Sequence, residues 1–247
     1  MKYLLLRADD LGYSPGINQG IAESVKCGLV KNVGLMVNVP SSKDGYELIK
    51  NEDVCLGLHV NITVGTPLTD PSLIPSLVDQ NGLFICSKAY RTRAFDTSKR
   101  KEMALEVQAQ YEEFIAITGR KPNYIESHAV YPKNLVYVMK ELSKKYDILF
   151  SPFPIHDTTI RIKNHDVVVS MNPMRDGYNP KQELLNFINS SQEDYGLFVV
   201  HPGYVDGVVL HNSSLTVPRD LEREMLCDKR VIQDVQNAVQ LISYTDL

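Results

Sequence analysis

Apolar residues along this chain fall into two alternating rhythms: short unbroken runs, and longer stretches in which they recur at helical spacing. The short runs predict strands at Lys2–Ala8, Val33–Val39, Val54–Val60, Asn123–Ser127, Asp147–Phe150, Val167–Met171 and Gly196–Val200. Between them, Ile17, Ile21 and Val25 mark one amphipathic helix. Met103, Val107, Tyr111, Phe114 and Ile115 line one face of another, over Lys99–Thr118, with Gly119 placed as its C-cap. Tyr46–Lys50 suggests a helical turn, and Leu135–Lys145, Lys181–Ile188 and Lys229–Ile242 carry further helical patterning. About seven strands alternating with helices predict an α/β fold with a parallel sheet, in the form of a single distorted (β/α) barrel that is TIM-barrel-like. The rival, an open doubly wound sheet, lacks a Gly-x-Gly-x-x-Gly turn after its first strand.

The rhythm breaks from Asn61 to Ser98, where prolines at 67, 71 and 75 interrupt any sustained period. A segment of that length within residues 1–247, read as one domain, predicts an insert or lid loop. It leaves the strand carrying His59, so it begins at the barrel mouth. Asn61 and Thr63 are therefore expected near the reacting centre, with Tyr90, Arg91 and Arg93 farther out. Arg175, in Asn172-Pro-Met-Arg-Asp-Gly, is a further candidate for substrate contact.

Composition narrows the field. The formal charge of −4 gives no basic stripe for neutralising phosphates, so a small neutral substrate is expected rather than nucleic acid. Cys27, Cys55, Cys86 and Cys227 are scattered, with no Cys-x-x-Cys pair, and read as reduced thiols. The apolar run Leu4–Leu6 is too short for a signal-peptide core or a membrane span, so no membrane association and a cytoplasmic location are expected.

The candidate chemistry lies at strand ends. Asp9 and Asp10 follow the first strand, His59 ends the third, His128 follows Tyr124-Ile-Glu-Ser, and His201 opens His-Pro-Gly after the last. In a β/α barrel the C-terminal ends of the strands converge on one mouth. Asp-Asp-Leu-Gly alone would read as a solvated turn, but two carboxylates in one pocket call for a neutralising cation. One aspartate oxygen with His59 and His128 makes a sensible three-ligand set for a divalent metal. His201, stiffened by Pro202, suits a general acid as well as a ligand. His156, His165 and His211 sit in polar surroundings and read as surface residues. There is no Gly-x-Ser-x-Gly elbow and no P-loop.

The order Ala8-Asp-Asp-Leu-Gly, Asn18-x-Gly-Ile, Gly57-Leu-His-x-Asn-Ile-Thr, Glu126-Ser-His and His201-Pro-Gly resembles the YdjC-like carbohydrate deacetylases, which include chitooligosaccharide deacetylases. Leu221–Asp228 is similar to the closing Arg/Glu segment of that family. The resemblance implies hydrolysis of an N-acetyl group on a short acetylated oligosaccharide, a homodimer, and a divalent metal usually given as magnesium. It makes Asp10, His59 and His128 the metal ligands and Asp9 the catalytic base, and it matches His201 to the histidine after the last strand. Two imidazoles nonetheless suit zinc better than magnesium. The chain departs from the family after His128, where Ala-Val-Tyr-Pro-Lys replaces further histidines, and at Glu126, where aspartate is common. Two other readings remain open: a different metal-dependent hydrolase such as a phosphoesterase, and a non-catalytic sugar- or metal-binding protein.

Overall fold

The computed structural model describes residues 1–92, 96–153 and 158–247. In chain order the elements are β1 (Tyr3–Leu11), α1 (Pro15–Lys26), β2 (Asn32–Leu35), α2 (Ser42–Ile49), β3 (Cys55–Val60), α3 (Ser87–Thr92), α4 (Arg100–Thr118), β4 (Tyr124–Ser127), α5 (Lys133–Tyr146), β5 (Leu149–Phe150), β6 (Thr159–Ile162), β7 (His165–Ser170), α6 (Pro180–Ser190), β8 (Tyr195–Val200), α7 (Gly207–Asn212), α8 (Val217–Cys227), α9 (Lys229–Ala238) and β9 (Gln240–Ile242). The strands form one curved sheet in the order β5-β4-β3-β2-β1-β8-β7-β6, a nearly closed barrel surrounded by helices. All pairings are parallel except the β6–β7 hairpin. The α/β barrel expected from the alternation is therefore the fold.

Strand alternation sorts the side chains onto two faces. Leu4, Leu6 and Ala8 of β1, Leu56 and Leu58 of β3, and Phe198 and Val200 of β8 join the large cluster shared with the helices. Leu5, Cys55, Tyr124, Val167, Val169, Leu197 and Val199 form the smaller cluster that fills the barrel. Moving toward the C-terminal ends of the strands, the same inward positions turn polar: Arg7 and Asp9 on β1, His59 on β3 and Glu126 on β4, each at most 3% exposed. The barrel is apolar at its floor and ionisable at its mouth.

Close packing at the floor depends on Gly57. It pairs directly with Tyr124, and a Cβ there would lie 2.3 Å from the Tyr124 ring carbons. Since Tyr124 is fully buried, the ring has no room to retreat. Gly57→Ala is expected to cost about 1–3 kcal/mol of overpacking, measured as a lowered urea midpoint at unchanged m-value.

The structure corrects one sequence expectation and adds elements the pattern did not mark. Residues 159–162 form a strand that the sequence pattern did not mark, with exposed Thr159 and Arg161 alternating with buried Ile160 and Ile162. The last helix stops at Ala238; Val239 is extended and β9 follows. Val231, Val235, Val239 and Ile242 continue a helical period, but pairing with β1 prevails: β2 meets β1 only from Arg7 onward, which leaves Tyr3, Leu4 and Leu5 free to bond Gln240, Leu241 and Ile242. The residues after His201 supply two helices, α7 and α8, that the pattern did not suggest. Among the described residues no helix is long and apolar enough to cross a membrane.

Candidate active site

At the barrel mouth β1 breaks its regular pairing. Ala8 pairs with Val33 and Leu11 with Leu35, so β1 carries one residue more than β2 across this step. Asp10 takes up the difference with φ of 75°, a left-handed conformation that aspartate tolerates better than most residues. The bulge lets both carboxylates reach the mouth: Asp9 keeps the inward position set by Leu5 and Arg7, while Asp10 swings toward His59 and His128.

Asp10 Oδ1, His59 Nε2 and His128 Nδ1 form a triangle. Its sides are 3.1 Å between Asp10 and His59, 2.9 Å between Asp10 and His128, and 3.1 Å between the two imidazoles. Donors held about 2.1 Å from a metal ion at right angles to one another lie about 3.0 Å apart, so these three fit one face of a divalent-ion shell. The second oxygen of Asp10 accepts from Arg219 Nη2 at 2.7 Å. Burial opposes the Asp10 charge, yet His128 and then Arg219 hold the carboxyl well below the usual carboxylate range.

Behind this triangle lies a layer of fixed charge. His59 Nδ1 is 2.5 Å from Glu126 Oε1, the carboxylate–imidazole contact that orients many metal-binding histidines. Arg7 donates through Nε and Nη2 to the two oxygens of Asp9, each at 2.8 Å, and through Nη1 to the Tyr244 hydroxyl at 2.9 Å. Gly34 on β2 keeps space for the cluster, since a Cβ there would stand 2.9 Å from Glu126 Oε1 and 3.1 Å from Asp9 Oδ1. Burial favours neutral His59, but Glu126 and Asp9 outweigh it and raise its proton affinity well above the ordinary value. The field that holds a proton there would equally attract a cation. Asp9 itself is raised, chiefly by burial, with Arg7 opposing.

His201 stands across the mouth. Its backbone N–H donates to Glu222 Oε2 at 2.6 Å, and Glu222 Oε1 accepts from the Tyr178 hydroxyl at 2.6 Å. Its ring Nδ1 is buried and, among the described residues, has no hydrogen-bond partner. Burial lowers the imidazole to about 4, with Asp10 and Asp9 partly offsetting it. The ring is thus held by its backbone, and burial favours its neutral form.

Asp9, Asp10, His59, His128 and His201 all line one cleft of about 1160 Å³, large enough for a short oligosaccharide. Tyr131 and Phe153, stacked at 4.3 Å, belong to its wall, as do Lys88, Tyr90 and Arg91 from α3. Described residues of the segment 61–98 therefore line the cleft: Val64, Cys86 and most of α3. Their first part is tightly held: Ile74, Leu77 and Phe84 are buried in the main core, Glu106 accepts from the backbone N–H groups of Leu68 and Thr69, and Glu102 accepts from that of Ser76.

The expected substrate contacts are placed unevenly. Arg175 lines the cleft, well exposed and paired with Glu183 at 2.8 Å. Asn61 and Thr63 do not line it. The Asn61 carboxamide accepts from the backbone N–H groups of Thr63 and Val64 and donates to Asn38 Oδ1 and the Val64 carbonyl, so it ties the loop rather than facing a ligand. His165 and His211 lie outside the cleft lining. Arg93 and His156 fall outside the described residues. Sequence reasoning missed Arg7 and Arg219, and it met Glu222 only as part of Leu221–Asp228, without a role in the site. For Arg7 the signal was present, because i and i+2 in a strand share a face and Arg7 must accompany Asp9. Arg219 and Glu222 come from a helix more than two hundred positions from β1, and no local pattern links them to it.

A sequence profile for YdjC-like proteins matches residues 3–237. The chain belongs to that family. It is 31% identical to carbohydrate deacetylase 2 of Listeria innocua over 99% of this chain and 98% of that protein. It is 27% identical to a carbohydrate deacetylase of Thermoanaerobacter pseudethanolicus over the full length of both. The crystal structure of an Enterococcus faecalis V583 protein, described provisionally as a cellobiose-phosphate cleavage protein, superimposes with a TM-score of 0.84 at 23% identity, covering 99% and 98% of the two chains. At that identity the likeness establishes the shared fold.

Proposed function

We propose that this chain is a metal-dependent hydrolase that removes N-acetyl groups from small acetylated carbohydrates such as chitooligosaccharides. The observation that carries the reading is the triangle of Asp10, His59 and His128 donor atoms at the base of a cleft of sugar size, with Asp9 and His201 beside it. The names of the relatives agree with it. Asp10, His59 and His128 would hold the ion, and the chemistry an ion supplies there is Lewis-acid polarisation of a carbonyl oxygen.

The chain's own residues account for the proton movements. Asp9, fixed by Arg7 through both oxygens, retains lone pairs with which to take a proton from the attacking water. His201 supplies a proton to the departing amine nitrogen. Because burial lowers it to about 4, the ring must first take up a proton, either from solvent or the one Asp9 has removed from the water, and the negative charge that water addition places on the acetyl oxygen favours that uptake. Arg219 and Glu222 hold Asp10 and the His201 backbone in register across the cleft. The donor set of two imidazoles and one carboxylate favours zinc or another first-row ion, while the family resemblance implies magnesium. Elemental analysis of protein purified without added metal separates the two.

Acetate release from N,N′-diacetylchitobiose, with and without chelator, tests the reading. Release that stops on chelation and returns with added divalent metal is expected. Sugar binding without acetate release would establish a non-catalytic binding protein, and phosphate release from a phosphomonoester in its place would establish a phosphoesterase. Within the same reading, Glu126→Gln is expected to weaken metal affinity by about 10- to 100-fold, measured by competition with a chelating dye, because it weakens the contact that orients His59.

A further inference from the structure

Two cysteines that the sequence separates by 200 positions meet at the outer side of the barrel. Cys27 caps the C-terminal end of α1 and Cys227 is the last residue of α8. Their Sγ atoms lie 2.6 Å apart, about half an ångström beyond the ~2.05 Å of a disulfide bond. Both side chains are partly exposed and both are free thiols. The helices are held in register one turn earlier, where Glu23 and Arg223 pair at 3.4 Å and Arg223 also lies over the Tyr204 ring. Backbones are locked together nearby, since a Cβ on Gly20 of α1 would stand 2.4 Å from Gly203 Cα. Neither helix has to move for the sulfurs to bond.

We propose that Cys27 and Cys227 are a dithiol site that closes to a disulfide when the protein meets a small-molecule disulfide oxidant. One cysteine thiolate attacks the oxidant's S–S bond, forming a mixed disulfide and releasing one small thiolate; the second cysteine sulfur, losing its proton, then displaces the other. Two S–H protons leave, two electrons pass to the oxidant, and two small thiols are produced. The remaining cysteines are poorly placed to compete for an intramolecular bond: Cys55 is buried in the barrel interior, and Cys86 is exposed in the cleft wall.

The bond would act as a staple rather than a shut-off. Helix α8 presents Arg219 to Asp10 and Glu222 to the backbone of His201, and α1 holds the turn after His201 through the Gly16 carbonyl and the Tyr204 N–H. The sulfurs already stand near bonding distance while these contacts are in place, so closing the bond leaves the cleft assembled and restrains the helix that shapes it. Burial pushes Cys227 up to about 12, which makes exchange slow at neutral pH and faster under mildly alkaline conditions.

The full-length chain should be incubated with excess oxidised glutathione at mildly alkaline pH and digested without reduction. We expect a peptide joining Cys27 to Cys227, loss of two of the four thiols, and reversal by dithiothreitol. The melting temperature should rise by about 5–10 °C, and Cys27→Ser should abolish both the cross-link and the rise. Recovery of Cys27 and Cys227 as free thiols or as separate glutathione adducts would overturn the proposal. So would a cross-linked form that melts lower than the reduced one, because the bond would then not fit the folded state.

Discussion

Replacing Asp10 with asparagine is expected to remove ion binding and lower kcat by about 10³-fold or more, since loss of an ion's electrostatic contribution costs several kcal/mol and each 1.4 kcal/mol is a factor of ten. Asp10 is the anionic member of the triangle, and without its charge only the two imidazoles remain to hold an ion. Its second oxygen also neutralises Arg219, which is 2% exposed, so the variant leaves a buried guanidinium without its counter-charge. Breaking one side of a buried ion pair costs about 3–5 kcal/mol of stability. Metal content and kcat should therefore be measured well below the variant's own melting transition. Retention of stoichiometric metal in folded Asp10→Asn would remove Asp10 from the ligand set.

The neighbouring substitution should behave differently. Asp9→Asn is expected to lower kcat by about 10²- to 10⁴-fold, the range over which a positioned acid or base acts, while metal content stays at the wild-type level. The substituted carboxamide keeps the shape of the side chain and one acceptor for Arg7, but it cannot take a proton from water. The contrast between adjacent residues is the informative result. If Asp9→Asn loses the ion and Asp10→Asn keeps it, the division of labour between them is reversed.

The parts of this site legible in the sequence were those where an apolar strand ends abruptly in an ionisable residue. Leu4-Leu-Leu before Arg7-Ala-Asp-Asp, Leu58 before His59, Ile125 before Glu126-Ser-His and Val200 before His201 each announce a strand and its functional tip together. Strand termini on one face of a barrel converge whatever lies between them, so spacing along the chain was no obstacle. What stayed hidden depended on contacts without local signature. Asn61 resembled a substrate contact because it follows His59, yet its amide is consumed by its own turn. Arg219 reaches Asp10 from a helix in a stretch where Val217, Leu221 and Leu226 give only a weak stripe. Residues 240–242 continued a helical period until the unpaired edge of β1 claimed them.

That last pairing bears on how the protein acquires its charges. Tyr244, two residues past the end of β9, carries no charge but accepts from Arg7 across 237 positions of sequence, and Asn32 accepts from its backbone N–H. A growing polypeptide has made β1, with Arg7, Asp9 and Asp10, long before this partner exists. Pairing the first strand with the last is the kind of distant closure that slows folding, because so much loop entropy must be lost before the contact forms. Arg7 must therefore wait, solvated or satisfied by Asp9 alone, until residues 240–244 have been made. Strand β9 and Tyr244 are the late-arriving clasp on the cluster around Arg7, and a chain cut before Gln240 would reach the barrel stage with that buried guanidinium only partly bound.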